Sequence, residues 1–167
     1  AERVDAVFYV GLPSGASRAA LWRLYFKKYF PALIDNRPFP RHLELDLPTL
    51  LAKLGKQKTF EEEAWRNKLV AAVMCLSPDV RSKAKAKIAS TVNGEFADSV
   101  MENLIKDDGW TPAEIRACCR LSRRLQEPLY VTQDRVRPVS VTAAKVIKRL
   151  ETWASEAALD ADTGKIY

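Results

Sequence analysis

The 167-residue chain has one histidine, three cysteines and no apolar stretch near the roughly 20 residues that a membrane-spanning helix needs. Each shortage excludes something. His42 stands alone in a Pro-rich loop far from the cysteines, so no zinc-type ligand spacing exists and no metal site is expected. The cysteines are odd in number and two are adjacent, Cys118 and Cys119, with Cys75 apart; this argues against a disulfide framework and for a reducing compartment. The N-terminus lacks the basic, apolar and small-residue order of a signal peptide. The expectation is a cytoplasmic protein with no membrane contact.

What is present suits one folded domain. Apolar residues make up 47% and charged residues 29%, spread rather than blocked, and the length supports a real core. A net charge of +6 permits attraction to phosphates but assigns no partner by itself.

The opening run VDAVFYVGL, Val4 to Leu12, is β-branched and aromatic and predicts a strand that stops at Pro13-Ser14-Gly15. Ser17 stands where a helix N-cap would, before RAALWRLYFKKYF, which carries Leu21, Leu24 and Tyr25 on one face and Trp22, Phe26 and Tyr29 on the next. Pro31, Pro38, Pro40 and Pro48 bracket a loop, and TLLAKLG then predicts a short helix ending at Gly55. Thr59 and Glu62 have the spacing of a capping box for a helix bearing Phe60, Ala64, Leu69 and Val73, stopped by Ser77-Pro78. Asp79 is the expected cap of the next helix, with Val80, Ala84, Ile88 and Val92 as its stripe, and Asn93-Gly94 separates it from EFADSVMENLIKD.

The best-written start is TPAEIRACCRLSRRLQ: Thr111 at N-cap, Pro112 at N1 and Glu114 at N3, with Ile115, Cys118, Cys119 and Leu125 facing inward. A last helix is predicted from about Val141, with Ala143, Val146, Ile147, Leu150, Ala154 and Ala157 as its stripe. The fold class is therefore mainly α, with one strand at the start. A lone buried strand must pair with something, and no other segment clearly supplies a sheet, so the strand is expected to belong to one lying upstream. The charged Ala1-Glu2-Arg3 leading straight into that strand reads as a cut made inside a larger protein.

Two stretches carry a resemblance. Arg3-Val4-Asp5, the apolar strand, Leu12-Pro13, a short turn, Arg18 and ALWRLYFKK resemble the end of the large subdomain and the first lid helix of AAA ATPases of the AAA+ superfamily. GWTPAEIRACCRLSRRL, Gly109 to Leu125, resembles the lid helix that begins Gly-apolar-Ser/Thr-Gly-Ala-Asp/Glu-Ile. Their order is the order an AAA lid requires.

The resemblance implies residues 1–13 as the last strand of the large subdomain, 14–160 as a helical lid subdomain, and 161–167 as an irregular tail. A lid normally joins its two anchors briefly; here about 31–108 holds three or four helices, an extended insert between Phe30 and Asp108. Arg3 takes the position of an arginine finger, acting in trans on the charge that grows on a neighbour's γ-phosphoryl oxygens. Leu21 and Tyr25 fall where the first lid helix touches adenine, although both also suit a core. Pro112 and Ala113 fall on the Gly-Ala pair that approaches ribose and phosphates, where a helix N-terminus favours an anion. Pro112 departs from the family's Gly and removes one donor. The implied cofactor is ATP with Mg²⁺, held by the parent protein, and the implied assembly is a homo-oligomeric, hexameric ring that remodels a partner.

No G-x-x-x-x-G-K-[ST] loop is present, and GLPSGASRA lacks both the lysine and the spacing. The segment alone is therefore expected neither to bind ATP nor to be catalytic. The competing reading is a basic helical nucleic-acid-binding module, using Arg81, Lys83, Lys85 and Lys87 of RSKAKAK with Arg120 and Arg124. Solvated helix faces would explain the same residues. The carboxylates Asp107 and Asp108 are expected to serve only as loop or cap groups.

Overall fold

The run LVAAVMC, Leu69 to Cys75, contains no polar residue, and a helix that is apolar on every side has to be surrounded. In the computed structural model, which describes residues 8–31, 47–157 and 159–160, every side chain of that run is buried. It forms the second half of α3 (Glu62–Met74), and the other helices gather around it. These are α1 (Gly15–Tyr29), α2 (Leu47–Lys56), α4 (Pro78–Thr91) and α5 (Gly94–Glu102), each packed against α3. Next comes α6 (Pro112–Leu125), which lies along α1 and carries Ile115, Cys118 and Cys119 into the same core. The chain ends in short α7 (Leu129–Thr132), a 3-10 turn (Gln133–Arg135), α8 (Val139–Thr142) and α9 (Ala144–Ala157).

The fold is thus mainly helical, and among the described residues four helices, α2 to α5, lie between Phe30 and Asp108. The opening strand ends earlier than the sequence suggests. Phe8–Tyr9 pairs in parallel with Leu159–Asp160, while Val10 to Leu12 carry no strand; Val4 to Val7 lie outside the described residues. Leu159 and Asp160, at the end of the expected helical subdomain, thereby give the strand a partner from this chain, where one from an upstream sheet was expected. No helix among the described residues is long and apolar enough to cross a membrane.

The helix starts show which local signals prevail. At α6 the capping box forms in full: Glu114 Oε2 accepts the Thr111 N–H at 2.6 Å, and Thr111 Oγ1 accepts the Glu114 N–H at 3.4 Å. Elsewhere the cap moves. Ser14, not Ser17, caps α1, accepting the Ser17 N–H at 3.2 Å. For α3 the N-cap is Glu61 with no side-chain cap bond, so the Thr59–Glu62 box does not form. For α4 it is Ser77, with Pro78 at N1 and Asp79 inside the first turn.

The early start of α1 has a packing reason. A Cβ at Gly15 would stand 2.7 Å from the ring of Pro78, so only glycine lets the ends of α1 and α4 meet. Gly109 has φ +70° and faces Ser140 of α8, where an added Cβ would be 2.9 Å from Oγ. Glycine meets both demands at once.

The apolar stripes also differ in part from expectation. Ala84 and Ile88 are buried, but Val80, Leu24, Phe60 and Leu125 are exposed. Likewise Val146 and Leu150 of α9 face outward, because α9 packs on α8 and makes no contact of comparable extent with the other described elements.

Candidate functional site

The two segments that resemble a lid come together. Trp22 of α1 and Trp110, which leads into α6, have ring centroids 6.3 Å apart, and further along both helices Arg116 Nε donates to the Tyr29 hydroxyl at 3.4 Å. These two contacts put α1 and α6 side by side and running the same way. Tyr25, between Trp22 and Tyr29, is near enough to Arg116 of α6 to act on it electrostatically. The buried side of α1 is Trp22 and Phe26, stacked at 5.3 Å. Leu21 and Tyr25 are on its half-buried flank, where the Tyr25 and Tyr29 rings lie 6.2 Å apart.

Pro112 and Ala113 occupy the first two positions of α6 and are exposed. Pro112 has no N–H, and that of Glu114 is taken by Thr111 Oγ1. The Ala113 N–H has no protein acceptor among the described residues, leaving one free donor at the positive end of the helix. Glu114 itself is buried and has two tasks. Besides closing the capping box, its Oε1 accepts the Val139 N–H at the start of α8, tying α8 to α6. Arg3 lies outside the described residues.

Compared with protein-family models, curated proteins and solved structures, the chain gives no match to any of them.

The basic cluster divides. Arg81, expected among the phosphate-contacting residues, turns inward instead. Its NH1 and NH2 reach Asp107 Oδ1 and Oδ2 at 3.0 and 3.2 Å, Nε donates to the Leu76 carbonyl at 3.1 Å, and NH2 also meets the Met74 carbonyl at 3.2 Å. A guanidinium whose donors are so occupied is not available to a phosphate. Lys85 pairs with Asp98 of α5. Lys83, Lys87, Arg120 and Arg124 are exposed, but on α4 and α6, which share no extensive contact among the described residues.

Asp107 corrects the expectation most strongly. It is buried, and besides Arg81 it accepts the Trp22 indole N–H at 2.8 Å, with Arg18 Nε at 3.6 Å. Arg18 goes on to Asp108 at 2.9 Å and to the Pro13 carbonyl at 3.0 Å. Burial opposes the charged carboxylate of Asp107, but the hydrogen bonds from Arg81 and Trp22 and the charges of Arg81 and Arg18 prevail and hold its pKa below the usual aspartate value. This cluster fastens the loop before α6 to α1 and α4. No sequence spacing announces it, since the partners it joins to Asp107 and Asp108 lie 26 to 90 residues away.

The cysteines are buried thiols. Burial pushes Cys75 and Cys118 up to about 12, the former against the pull of Arg23, Arg81 and Lys27, and Cys119 goes higher still. Such thiols are not nucleophiles at neutral pH. Among the described residues no group of three or more His, Cys, Asp or Glu could hold a metal ion.

Proposed function

We propose that this chain is the lid and intersubunit-contact segment of an ATP-hydrolysing AAA ATPase, a cytoplasmic ring-forming machine that remodels a partner macromolecule. The observation that supports the reading is the parallel seam of α1 and α6. Segments some 90 residues apart lie side by side, and α6 begins with an N–H at Ala113 that no described residue accepts.

That arrangement suits an adenine nucleotide. The half-buried flank of Leu21 and Tyr25 offers an apolar and aromatic surface for a base. The start of α6 offers a donor and partial positive charge for ribose or phosphate oxygens. Pro112 narrows the donor set to Ala113, so the lid orients the nucleotide rather than gripping it.

ATP and Mg²⁺ supply the phosphoryl chemistry, and the P-loop that positions them belongs to the upstream part of the parent. Arg3, in this reading, projects to a neighbouring subunit and stabilises the charge on its γ-phosphoryl oxygens. The hydrogen bonds of Trp22 and Arg81 to Asp107 tie the seam together, and in this reading the lid turns as one body with nucleotide state and passes that rotation to the next subunit of a hexameric ring.

The test uses the natural full-length gene product. Arg3→Ala is expected to lower hydrolysis about 10³-fold or more while ATP binding persists. Tyr25→Ala is expected to weaken nucleotide affinity. Wild-type turnover in the first variant together with unchanged affinity in the second would overturn the assignment.

A further inference from the structure

The two helices of the seam are almost free of acidic side chains. Helix α1 contains none, and the single one of α6, Glu114, is buried in the capping box. Arg116, Arg120 and Arg124 recur at i, i+4 and i+8, which puts them on one side of α6, about 6 Å apart along its axis. All three are exposed, and none forms an ion pair among the described residues.

Tyr29 joins this row to α1. Its hydroxyl accepts Arg116 Nε at 3.4 Å, Lys28 Nζ lies 5.7 Å from its ring centroid, and the Tyr25 ring is 6.2 Å away. Lys28 is also exposed and has no ion pair among the described residues. Carboxylates stand at the two ends of the seam. Asp108, just before α6, is held by Arg18 at 2.9 Å; past the end of α6, Glu127 is held by Arg135 at 2.8 Å, and with Glu63 it lines a cleft that also takes in Arg123. A solvated helix face balances its charges at i, i+4, whereas a row of unbalanced arginines beside aromatic rings has the parts that hold a phosphate polymer.

We propose that this seam binds single-stranded nucleic acid, with Arg116, Arg120 and Arg124 following the backbone, Lys28 adding a fourth phosphate contact, and a base turned to the aromatic surface of Tyr29. A guanidinium keeps its charge and offers a planar fork to phosphate oxygens, so arginine suits the task. A single strand fits better than a duplex, because its bases can leave the stack and meet an aromatic side chain. The contacts are to backbone and ring faces, which read no sequence, so DNA and RNA strands should bind alike. The surface differs from the basic run of α4, where Arg81 is engaged with Asp107 and Lys85 is paired with Asp98.

The test is fluorescence anisotropy of labelled oligothymidylate and oligouridylate, about 20 nucleotides long, titrated with the chain in the absence of ATP. With four phosphates neutralised, log K should fall against log salt with a slope of about −2.8, a loss of about 50-fold in affinity between about 50 and about 200 mM. Arg120→Glu with Arg124→Glu should weaken binding about tenfold or more. Lys83→Glu with Lys87→Glu on α4 makes the same change in net charge on exposed side chains, and should stay within about threefold of wild type because salt screens distant charges. Tyr29→Leu should weaken binding about fivefold or more, while Tyr29→Phe, which keeps the ring, should match wild type. Circular dichroism checks that each variant is folded. No binding at about 50 mM salt, equal losses in the α4 and α6 pairs, tighter binding of a duplex of equal length, or equal competition by polyglutamate would overturn the proposal. No ATP is present and none of the four cations is among the proposed nucleotide contacts, so this proposal and the ATPase reading can fail separately.

Discussion

Trp22 and Asp107, 85 residues apart in the chain, meet through a 2.8 Å hydrogen bond inside the protein. The same carboxylate takes two N–H groups of Arg81, so one aspartate joins α1, α4 and the loop before α6. A buried ion pair adds little over an apolar replacement, but removing one partner leaves the other charged and uncompensated.

Asp107→Ala is accordingly expected to cost about 3–5 kcal/mol. Trp22→Phe, which removes only the donor and part of the ring, should cost less, about 1–3 kcal/mol. Urea unfolding followed by circular dichroism reads both. A loss under about 1 kcal/mol for Asp107→Ala would mean that Arg81 finds other acceptors.

Acid acts on the same group. The folded pKa of Asp107 lies below the 3.8 of an ordinary aspartate, so folding favours the ionised form. Its contribution is complete above about pH 4 and is lost as pH falls through the folded value. Stability measured from pH 7 to pH 2 should therefore decline more steeply at the acid end in wild type than in Asp107→Asn. Parallel curves would remove Asp107 as a source of acid sensitivity.

The three free thiols should be silent in the folded protein. With Cys75 and Cys118 at about 12 and Cys119 raised further, labelling by a thiol reagent at neutral pH should follow the rate of unfolding and go to completion only in denaturant. A cysteine that labels rapidly without denaturant would be more exposed than its place in the core allows.

Parts of this architecture were legible because their causes are local. The Thr111, Pro112 and Glu114 signals of α6 lie within one turn and act on that turn, and the structure realises them together. Where several residues can cap, as at Ser14 and Ser17 or at Ser77 and Asp79, tertiary packing chooses, and the approach of Gly15 to Pro78 is a constraint no local pattern carries. The stripe of α9 was readable as apolar, but periodicity says which face is apolar and not what covers it. Asp107 looked like a loop carboxylate because its partners come from distant segments. Of the candidate site, neither the packing of α1 beside α6 nor the second task of Glu114 at Val139 is written in any local pattern, because both join segments far apart in the chain.

The most direct measurement is the mass of the native protein in its own cells, by immunoblot and intact mass spectrometry with an antibody to this segment. The account predicts a species well above 18.8 kDa whose digest contains a P-loop peptide upstream of Arg3. A native species of 18.8 kDa would leave Tyr25 and Ala113 without a catalytic partner in the chain and would contradict it.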